Sequence, residues 1–435
     1  MRLGLMLAFA FPLAAGEPYD PQVVLGRVVA KVLENNRRVP NYTCVETLTR
    51  RYFKPPATSL PRSCGVILES RGHTTPGLAL THVLTDRMRL DVAMTQRGEV
   101  FSWVGASRFE EGFIDRNAGL GPMSTGLFGS LLVLIFETDV KEFEFLGSQV
   151  VNGRSLMEYA FHVPWADSHY KVKAGKDWVY TAYSGKIRVD PETADLVGIS
   201  ENSAELPAAT GECVSIVDLE FNLAKIGDGQ FLMPKHALQH FVAPTGAEVE
   251  STTGFAGCRE YRGESTVSFG DTPAPTDDRA AGAPVNPIAL PPGTHFSFEL
   301  TVPISADTAA AGDRFHGRLI EPMRDARQKV LAPKGTAVEG RVLRVESFPN
   351  PPAVLVGLHP EALEIRGTRV PVAAVPDWRQ KTASRKRDRG RMAFDLPQPG
   401  EERSGTFRFP GEHAVVPRGF ESDWTLVEPA SHRHR

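Results

Sequence analysis

Apolar and polar residues alternate with a period of two over most of this chain, which is the pattern of half-buried β-strands. The alternation is clear at 42–52, recurs between 143 and 269, and returns in short segments from 296 to 424. In the stretch 87–94 four apolar residues share one face: Met88, Leu90, Val92 and Met94. These patterns predict a mainly β protein in which a large curved antiparallel half-barrel with covering helices is followed by a small β-barrel.

Two segments break the alternation and predict helices. Asp20-Pro21 supplies an N-cap and a proline at the first helical position, and an apolar stripe of valines continues to about Arg38. Residues 124–136 are apolar on every side of a helix, so a helix there must be buried. It is too short to cross a bilayer, and we expect it to plug or cover the sheet.

The N-terminus predicts export. Met1-Arg2 is followed by the apolar run 3–15 and by small residues up to Gly16, the composition of a signal peptide over residues 1–16. The run is shorter than the ~20 residues that a membrane-spanning helix needs. We therefore expect a periplasmic or secreted protein that is not an integral membrane protein after signal cleavage.

Charge and proline content divide the rest of the chain. The net charge is 49 − 52 = −3, so we expect no nucleic-acid partner. Proline-rich residues 271–289 predict an extended linker between a β domain at 17–270 and a β-barrel at 290–428. The barrel carries a basic insertion at 376–404, which is either a solvated loop or a contact for anionic lipid. Residues 429–435 predict a disordered tail.

Four cysteines in an exported chain predict two disulfides. They are Cys44, Cys64, Cys213 and Cys258. A Cys44–Cys64 bridge closes the shortest loop and is the expected pair, which leaves Cys213–Cys258. If the strands between 213 and 258 form a simple meander, that second pair is separated by ~30 Å, far beyond the ~7 Å limit between Cα atoms. A bulge or shifted strand, two free thiols, or pairing between early and late strands would resolve the conflict.

Several motifs resemble known exported proteins. The segments that resemble a family of uncharacterised exported bacterial proteins are VPNYTC (39–44), YSGKIRVDPET (183–193), FLMP (231–234) and CREYRGES (258–265). The glycine, alternating strand and Asp-x-x-Thr turn also resemble the lipoprotein-carrier folds LolA and RseB. That resemblance implies a half-open antiparallel barrel that holds acyl chains against a concave apolar face.

A second resemblance concerns the C-terminal part. The motifs LPPGT (290–294), AGD (311–313) and APKGT (332–336) resemble a β-barrel module of secreted proteins and TrbI-like conjugation-channel components. The resemblance implies assembly or anchoring more than chemistry.

No motif in the chain predicts catalysis. The hydrolase elbow G-x-S-x-G, phosphate-binding glycine loops and H-E-x-x-H are all absent from the sequence. His236 and His240 share a strand face, but no third metal ligand is evident, so we predict neither a metal nor a cofactor. We predict a non-catalytic binding protein for an apolar envelope ligand, a lipid or a lipoprotein. The alternatives are a structural or assembly component of an envelope complex and, most remotely, a metal-dependent hydrolase.

The candidate ligand-binding residues are apolar and come from one strand and the buried helix. They are Met88, Leu90, Val92, Met94, Leu127 and Leu131. The competing interpretation is that these side chains only pack the strand against the helix as ordinary core. An open concave face would favour ligand binding, and a plugged one would favour a scaffold.

Overall fold

A computed structural model describes most of the chain. The described residues are 19–56, 63–72, 80–95, 98–106, 108–109, 113, 122, 126–204, 206–260, 290–377 and 404–428. The predicted signal peptide, the linker, the basic stretch 379–391 and the tail lie outside them. Strands far outnumber helices in the described part, which confirms the predicted mainly β fold.

The described helices include α1 (Pro21–Arg38), α2 (Cys64–Gly72) and α3 (Ser130–Val133), which continues into a π-helical turn (Leu134–Thr138). Two short 3-10 helices lie at Trp165–Asp167 and Ala208–Thr210. The predicted start of α1 is confirmed, because the Asp20 side chain accepts the main-chain N–H groups of Gln22 at 2.9 Å and Val23 at 3.3 Å. None of the described helices is long and apolar enough to cross a membrane.

The first part of the chain contains twelve described strands. They are β1 (Tyr42–Lys54), β2 (Thr81–Thr95), β3 (Gly98–Trp103), β4 (Glu144–Val151), β5 (Arg154–Val163), β6 (Lys171–Ala174), β7 (Asp177–Tyr180), β8 (Tyr183–Val189), β9 (Leu196–Ala204), β10 (Val214–Ile226), β11 (Gly229–Val242) and β12 (Glu248–Glu260). Ten of them form an antiparallel sheet in the order β3-β2-β1-β12-β11-β10-β9-β8-β5-β4. Strands β6 and β7 form a separate hairpin. The described parts of β3 and β4 do not pair, so this sheet is a half-barrel.

One face of the half-barrel packs against helices. We call residues 126–138 the covering segment; it comprises a turn, α3 and the π-helical turn. Valines of α1 and apolar residues of the covering segment share a buried core with side chains from β5, β8, β9, β10 and β11. The helical contributors to this core are Val24, Val28, Val32, Leu127, Leu131, Leu132, Ile135 and Phe136.

The second part of the chain also contains twelve described strands. They are β13 (His295–Leu300), β14 (Ile304–Ser305), β15 (Arg314–Leu319), β16 (Met323–Arg324), β17 (Val330–Ala332), β18 (Ala337–Pro349), β19 (Pro352–Ile365), β20 (Thr368–Pro371), β21 (Ala374–Pro376), β22 (Gly405–Pro410), β23 (Val415–Val416) and β24 (Glu421–Leu426). The sheet runs β24-β13-β15-β18-β19. It closes because β20 pairs with β19 while β21 pairs with β24. Phe298, Phe407 and Trp424 fill this small barrel.

The two parts meet along the edge of β2. Where β3 has ended, β18 pairs with β2 through Asp86 and Glu346. The Arg89 N–H donates to the Ala311 carbonyl at 2.7 Å, and the Ala311 N–H donates to the Arg87 carbonyl at 2.9 Å. Main-chain hydrogen bonds therefore join the half-barrel to the small barrel.

The four cysteines form two disulfides, as predicted, but the expected pairing of Cys44 with Cys64 was wrong. Cys44 pairs with Cys258, with Cα atoms 4.0 Å apart, and Cys64 pairs with Cys213, with Cα atoms 5.1 Å apart. Strand β12 returns beside β1, which places Cys258 next to Cys44. Helix α2 packs its Ile67 against the strand ends that flank Cys213. The disulfides thus join cysteines that the tertiary structure brings together, and not the cysteines that are closest in sequence.

The bounds predicted for the helix at 124–136 were also wrong, and the helix is not a regular α-helix throughout. In the described residues, the helical hydrogen bonding of this segment begins at Ser130 and ends at Thr138 as a π-helical turn. Gly126 has a φ of 111°, a conformation that suits glycine and makes a turn before the helix. The interpretation that the segment is buried against the sheet is confirmed.

Candidate functional site

The six predicted binding residues come together at the contact between the covering segment and the sheet. Met88, Leu90 and Val92 are buried in a cluster that also contains Phe128 of the covering segment. Met94 is half-buried, and its Sδ packs close to Gly129: a Cβ added to this glycine would stand 3.6 Å from the sulfur atom. Leu127 and Leu131 belong to the neighbouring cluster, which includes α1. The concave face is therefore covered, and the six residues serve two adjoining clusters.

The N-terminal end of the covering segment is fastened to the sheet by Glu99 of β3. Its carboxylate accepts four main-chain N–H groups, from Gly126 at 2.7 Å, Phe128 at 2.9 Å, Gly129 at 3.0 Å and Ser130 at 3.4 Å. Burial raises the pKa of Glu99, and these four hydrogen bonds oppose that rise. One side chain thus satisfies the donors that a helix start leaves unpaired.

A second buried carboxyl group lies close to this fastening. Glu46 of β1 faces the same side as Leu90, its cross-strand partner on β2. Burial, and then the charge of Glu99, raise the pKa of Glu46 to about 8. Burial thus favours the protonated form of Glu46, whose neighbours on this face include Leu48 and Leu90.

The other end of the covering segment is held by Asp139. Its carboxylate accepts the main-chain N–H of His169 at 2.9 Å and the hydroxyl of Tyr183 at 3.0 Å, and it lies 2.7 Å from Nδ1 of His169. Hydrogen bonds to the carboxylates of Glu99 and Asp139 therefore anchor the covering segment at both ends, while apolar contacts fill the space between them.

Two further charged residues lie on the concave face as an ion pair. Arg50, only 1% exposed, donates from Nε to Asp86 Oδ1 at 2.9 Å and from Nη2 to Asp86 Oδ2 at 2.6 Å. Tyr52 donates its hydroxyl to the same carboxylate at 3.0 Å. The parallel two-bond geometry matches a guanidinium to a carboxylate, so each charge is neutralised by the other.

This ion pair ends a polar row that crosses the concave face. We define the polar row by cross-strand register as Asp86, Arg50, Ser251, Gln239 and Glu201. The row runs through β2, β1, β12, β11 and β9, and Val217 of β10 stands between Gln239 and Glu201. Directly paired residues point to the same side of a sheet. The next row on that side contains Leu48, Ala237 and Leu219, which pack in the cores beneath the helices.

Other candidate sites receive less support in the described part of the chain. Two surface depressions, of about 260 Å³ and 290 Å³, lie on the small barrel. His240 pairs with Glu248, with 2.6 Å between Nε2 and Oε2. No group of three or more His, Cys, Asp or Glu residues with metal-site geometry occurs in the described ranges.

Comparison with known proteins gives few matches. No family model and no curated protein match the chain. Among solved structures it is similar to a LolA superfamily protein from Nitrosomonas europaea, with 10% identity and a TM-score of 0.25 over 55% of this chain and 91% of that one. It is also similar to a domain named for outer membrane lipoprotein sorting from Vibrio parahaemolyticus, with 12% identity and a TM-score of 0.26 over 54% and 92%.

Proposed function

We propose that this chain is an exported, non-catalytic binding protein for an apolar envelope ligand, the acyl part of a lipid or a lipoprotein. The ligand would lie on the concave face of the half-barrel, against Met88, Leu90 and Val92, after the covering segment moves aside. The observation that carries the proposal is the way in which the covering segment is held, by carboxylate hydrogen bonds at Glu99 and at Asp139.

This arrangement supports a removable cover. Lifting the segment would expose the apolar cluster that includes Leu90 and Val92, both at 0% exposure. Exposing these apolar side chains to water is unfavourable. An acyl chain would replace the contacts that they lose with the covering segment. The covered state is thus the form expected without a ligand.

A second candidate function is a structural or assembly role, in which the helices simply complete the core. The filled concave face favours it, as do the main-chain hydrogen bonds between Arg89 and Ala311, which join the two parts. In this role the small barrel would dock on an envelope complex and the covering segment would stay in place.

Native mass spectrometry of protein purified from its own envelope distinguishes the two functions. Ligand binding predicts a bound lipid or lipoprotein fragment, with lower occupancy in Met88→Gln. A matched control is Leu238→Gln, because Leu238 is 45% exposed on β11; its occupancy should equal that of wild type. Protein that carries no lipid and takes up none from added phospholipid would contradict ligand binding and support the structural role.

A further inference from the structure

The polar row contains side chains that are buried without hydrogen-bond partners. Four atoms at or beside the row are in this state: Glu201 Oε2, Gln239 Nε2, Ser251 Oγ and Thr253 Oγ1. Thr253 follows Ser251 on the same face of β12, and all four residues are at most 1% exposed. Buried polar atoms in proteins are nearly always paired, so four neighbouring exceptions need an explanation.

The chemistry of these atoms is that of a donor set. The hydroxyls of Ser251 and Thr253 and the amide nitrogen of Gln239 can all donate. Glu201 already accepts a hydrogen bond from Ser203 at its other oxygen. Burial raises the pKa of Glu201 to about 8, which favours the protonated form, and a protonated carboxyl group can donate as well. Ser251 and Gln239 are direct cross-strand partners, and Thr253 lies two residues along β12 from Ser251. Adjacent donors of this kind are complementary to a carbonyl oxygen.

The same residues disfavour a charged ligand group. Arg50 is the cation of the polar row, and its guanidinium is bound by both oxygens of Asp86. With Glu201 protonated, the row has no net charge at neutral pH. A phosphate or carboxylate placed there would lose its hydration without gaining a countercharge.

We propose that the polar row, with Thr253, binds the carbonyl oxygen of the ester or amide linkage of an acyl ligand. The inference rests on the proposed function and deepens it, because it names the ligand class as acyl esters and acyl amides rather than plain hydrocarbons. The apolar chain of such a ligand would continue along Leu48 and Met88, which occupy the next row of the same face. The ligand linkage then pairs atoms that the covered state leaves unpaired.

Two probes that differ only in the carbonyl group test this assignment. 1-Oleoylglycerol carries an ester, whereas 1-O-oleylglycerol has an ether at the same position. Displacement of a bound fluorescent acyl probe from the full chain gives the affinity for each. Wild type should prefer the ester by about tenfold, which corresponds to about 1.4 kcal/mol. The double variant Ser251→Ala, Thr253→Val should bind both lipids within about twofold of each other, with its ether affinity unchanged.

The small barrel offers a matched control. Ser404 and Thr406 are also fully buried with unpaired hydroxyls, but they lie outside the polar row. The double variant Ser404→Ala, Thr406→Val should therefore keep the preference for the ester. Neither double variant should unfold at a lower temperature than wild type, because each removes unpaired buried hydroxyls. Gln239→Leu provides an independent variant of the row if the first does not fold.

The binding results distinguish failure of the carbonyl assignment from failure of the proposed function. Equal binding of ester and ether by wild type, or an ester preference that survives in the row variants, would overturn the assignment and leave the proposed function standing. Equal loss of both lipids in the row variant would also overturn it, since the row would then only shape the apolar face. Binding of neither lipid by wild type would overturn the proposed function itself.

Discussion

The main-chain N–H of Phe128 donates to the buried carboxylate of Glu99 at 2.9 Å. This contact joins the segment that covers the concave face to the last strand at one edge of the half-barrel. It also orients Phe128, whose ring lies 4.9 Å from that of Tyr42, over the apolar face of β1 and β2. The covering segment is thus held by a side chain that sits outside it in sequence.

Replacing Glu99 with Gln should loosen the covering segment. An amide cannot accept all four N–H groups, so at least one buried donor loses its partner at a cost of about 1–3 kcal/mol. We expect faster hydrogen exchange in residues 128–138 and a lower midpoint of urea unfolding. Glu137→Gln is the control. The Glu137 carboxylate lies in the same segment, but it accepts an exposed hydrogen bond from Asn36 Nδ2, at 2.8 Å. Unchanged exchange in Glu99→Gln would show that apolar contacts alone hold the segment.

Stability should fall as the pH rises, and Glu46 should be one cause. Burial and the Glu99 charge raise its pKa to about 8, whereas the unfolded chain releases this proton near pH 4.5. The folded state therefore binds more protons between about pH 4.5 and about pH 8. The free energy of unfolding decreases across this window by up to about 1.4 kcal/mol per pH unit for one group.

Glu46→Gln should remove that contribution. Urea unfolding at about pH 5.5 and at about pH 8.5 should show a smaller loss of stability in the variant, with its largest advantage over wild type at the higher pH. Some slope should persist, because burial also raises the pKa of Glu201 to about 8. Equal slopes in variant and wild type would mean that Glu46 is ionised in the folded protein.

Gly312 should be essential for the junction between half-barrel and small barrel. Its φ is 106°, and a Cβ there would stand 2.1 Å from the Arg89 carbonyl oxygen and 2.9 Å from Cε3 of Trp103. Gly312→Ala should cost several kcal/mol and split thermal unfolding into two transitions. Gly335→Ala is the control, with a φ of 85° but open space around the new methyl group. A single unshifted transition in Gly312→Ala would contradict this description of the junction.

The disulfides give a chemical test of the strand order. Non-reducing peptide mapping should recover Cys44 linked to Cys258 and Cys64 linked to Cys213. Removing the Cys44–Cys258 bridge by a double change to Ser should lower stability by about 2–5 kcal/mol, because the bridge joins β1 to β12 across a separation of 214 residues. Recovery of a Cys44–Cys64 peptide would be incompatible with the pairing of β1 and β12.

Periodicity predicted an element wherever its signal was strong and local. Alternation in 87–94 predicted part of β2, and the capped valine stripe predicted α1, because both signals are local. The cysteine pairs depended on which strands become neighbours, which no local pattern specifies. Helix α2 was not predicted at all, although it carries Cys64 to Cys213.

The polar groups of the candidate site carried a signal that sequence reasoning missed. Along β1, Glu46 and Arg50 occupy inward positions in the same alternation as Cys44 and Leu48, where apolar residues are the rule. A charged residue at such a position predicts a buried partner. The identity of that partner, Asp86 for Arg50, follows only from the register of β1 and β2.

The proposed function places an acyl chain against the apolar side of β2 after the covering segment has moved aside. A photoreactive 1-acylglycerol with a diazirine in its acyl chain tests this claim most directly, when irradiated with the full protein and analysed by peptide mapping. Ligand binding at this position predicts labelling of the β2 peptide that contains Met88, Leu90 and Val92 and of the segment that contains Leu127 and Leu131. Labelling confined to exposed side chains such as Leu238, or no labelling above that of a non-binding protein, would contradict it.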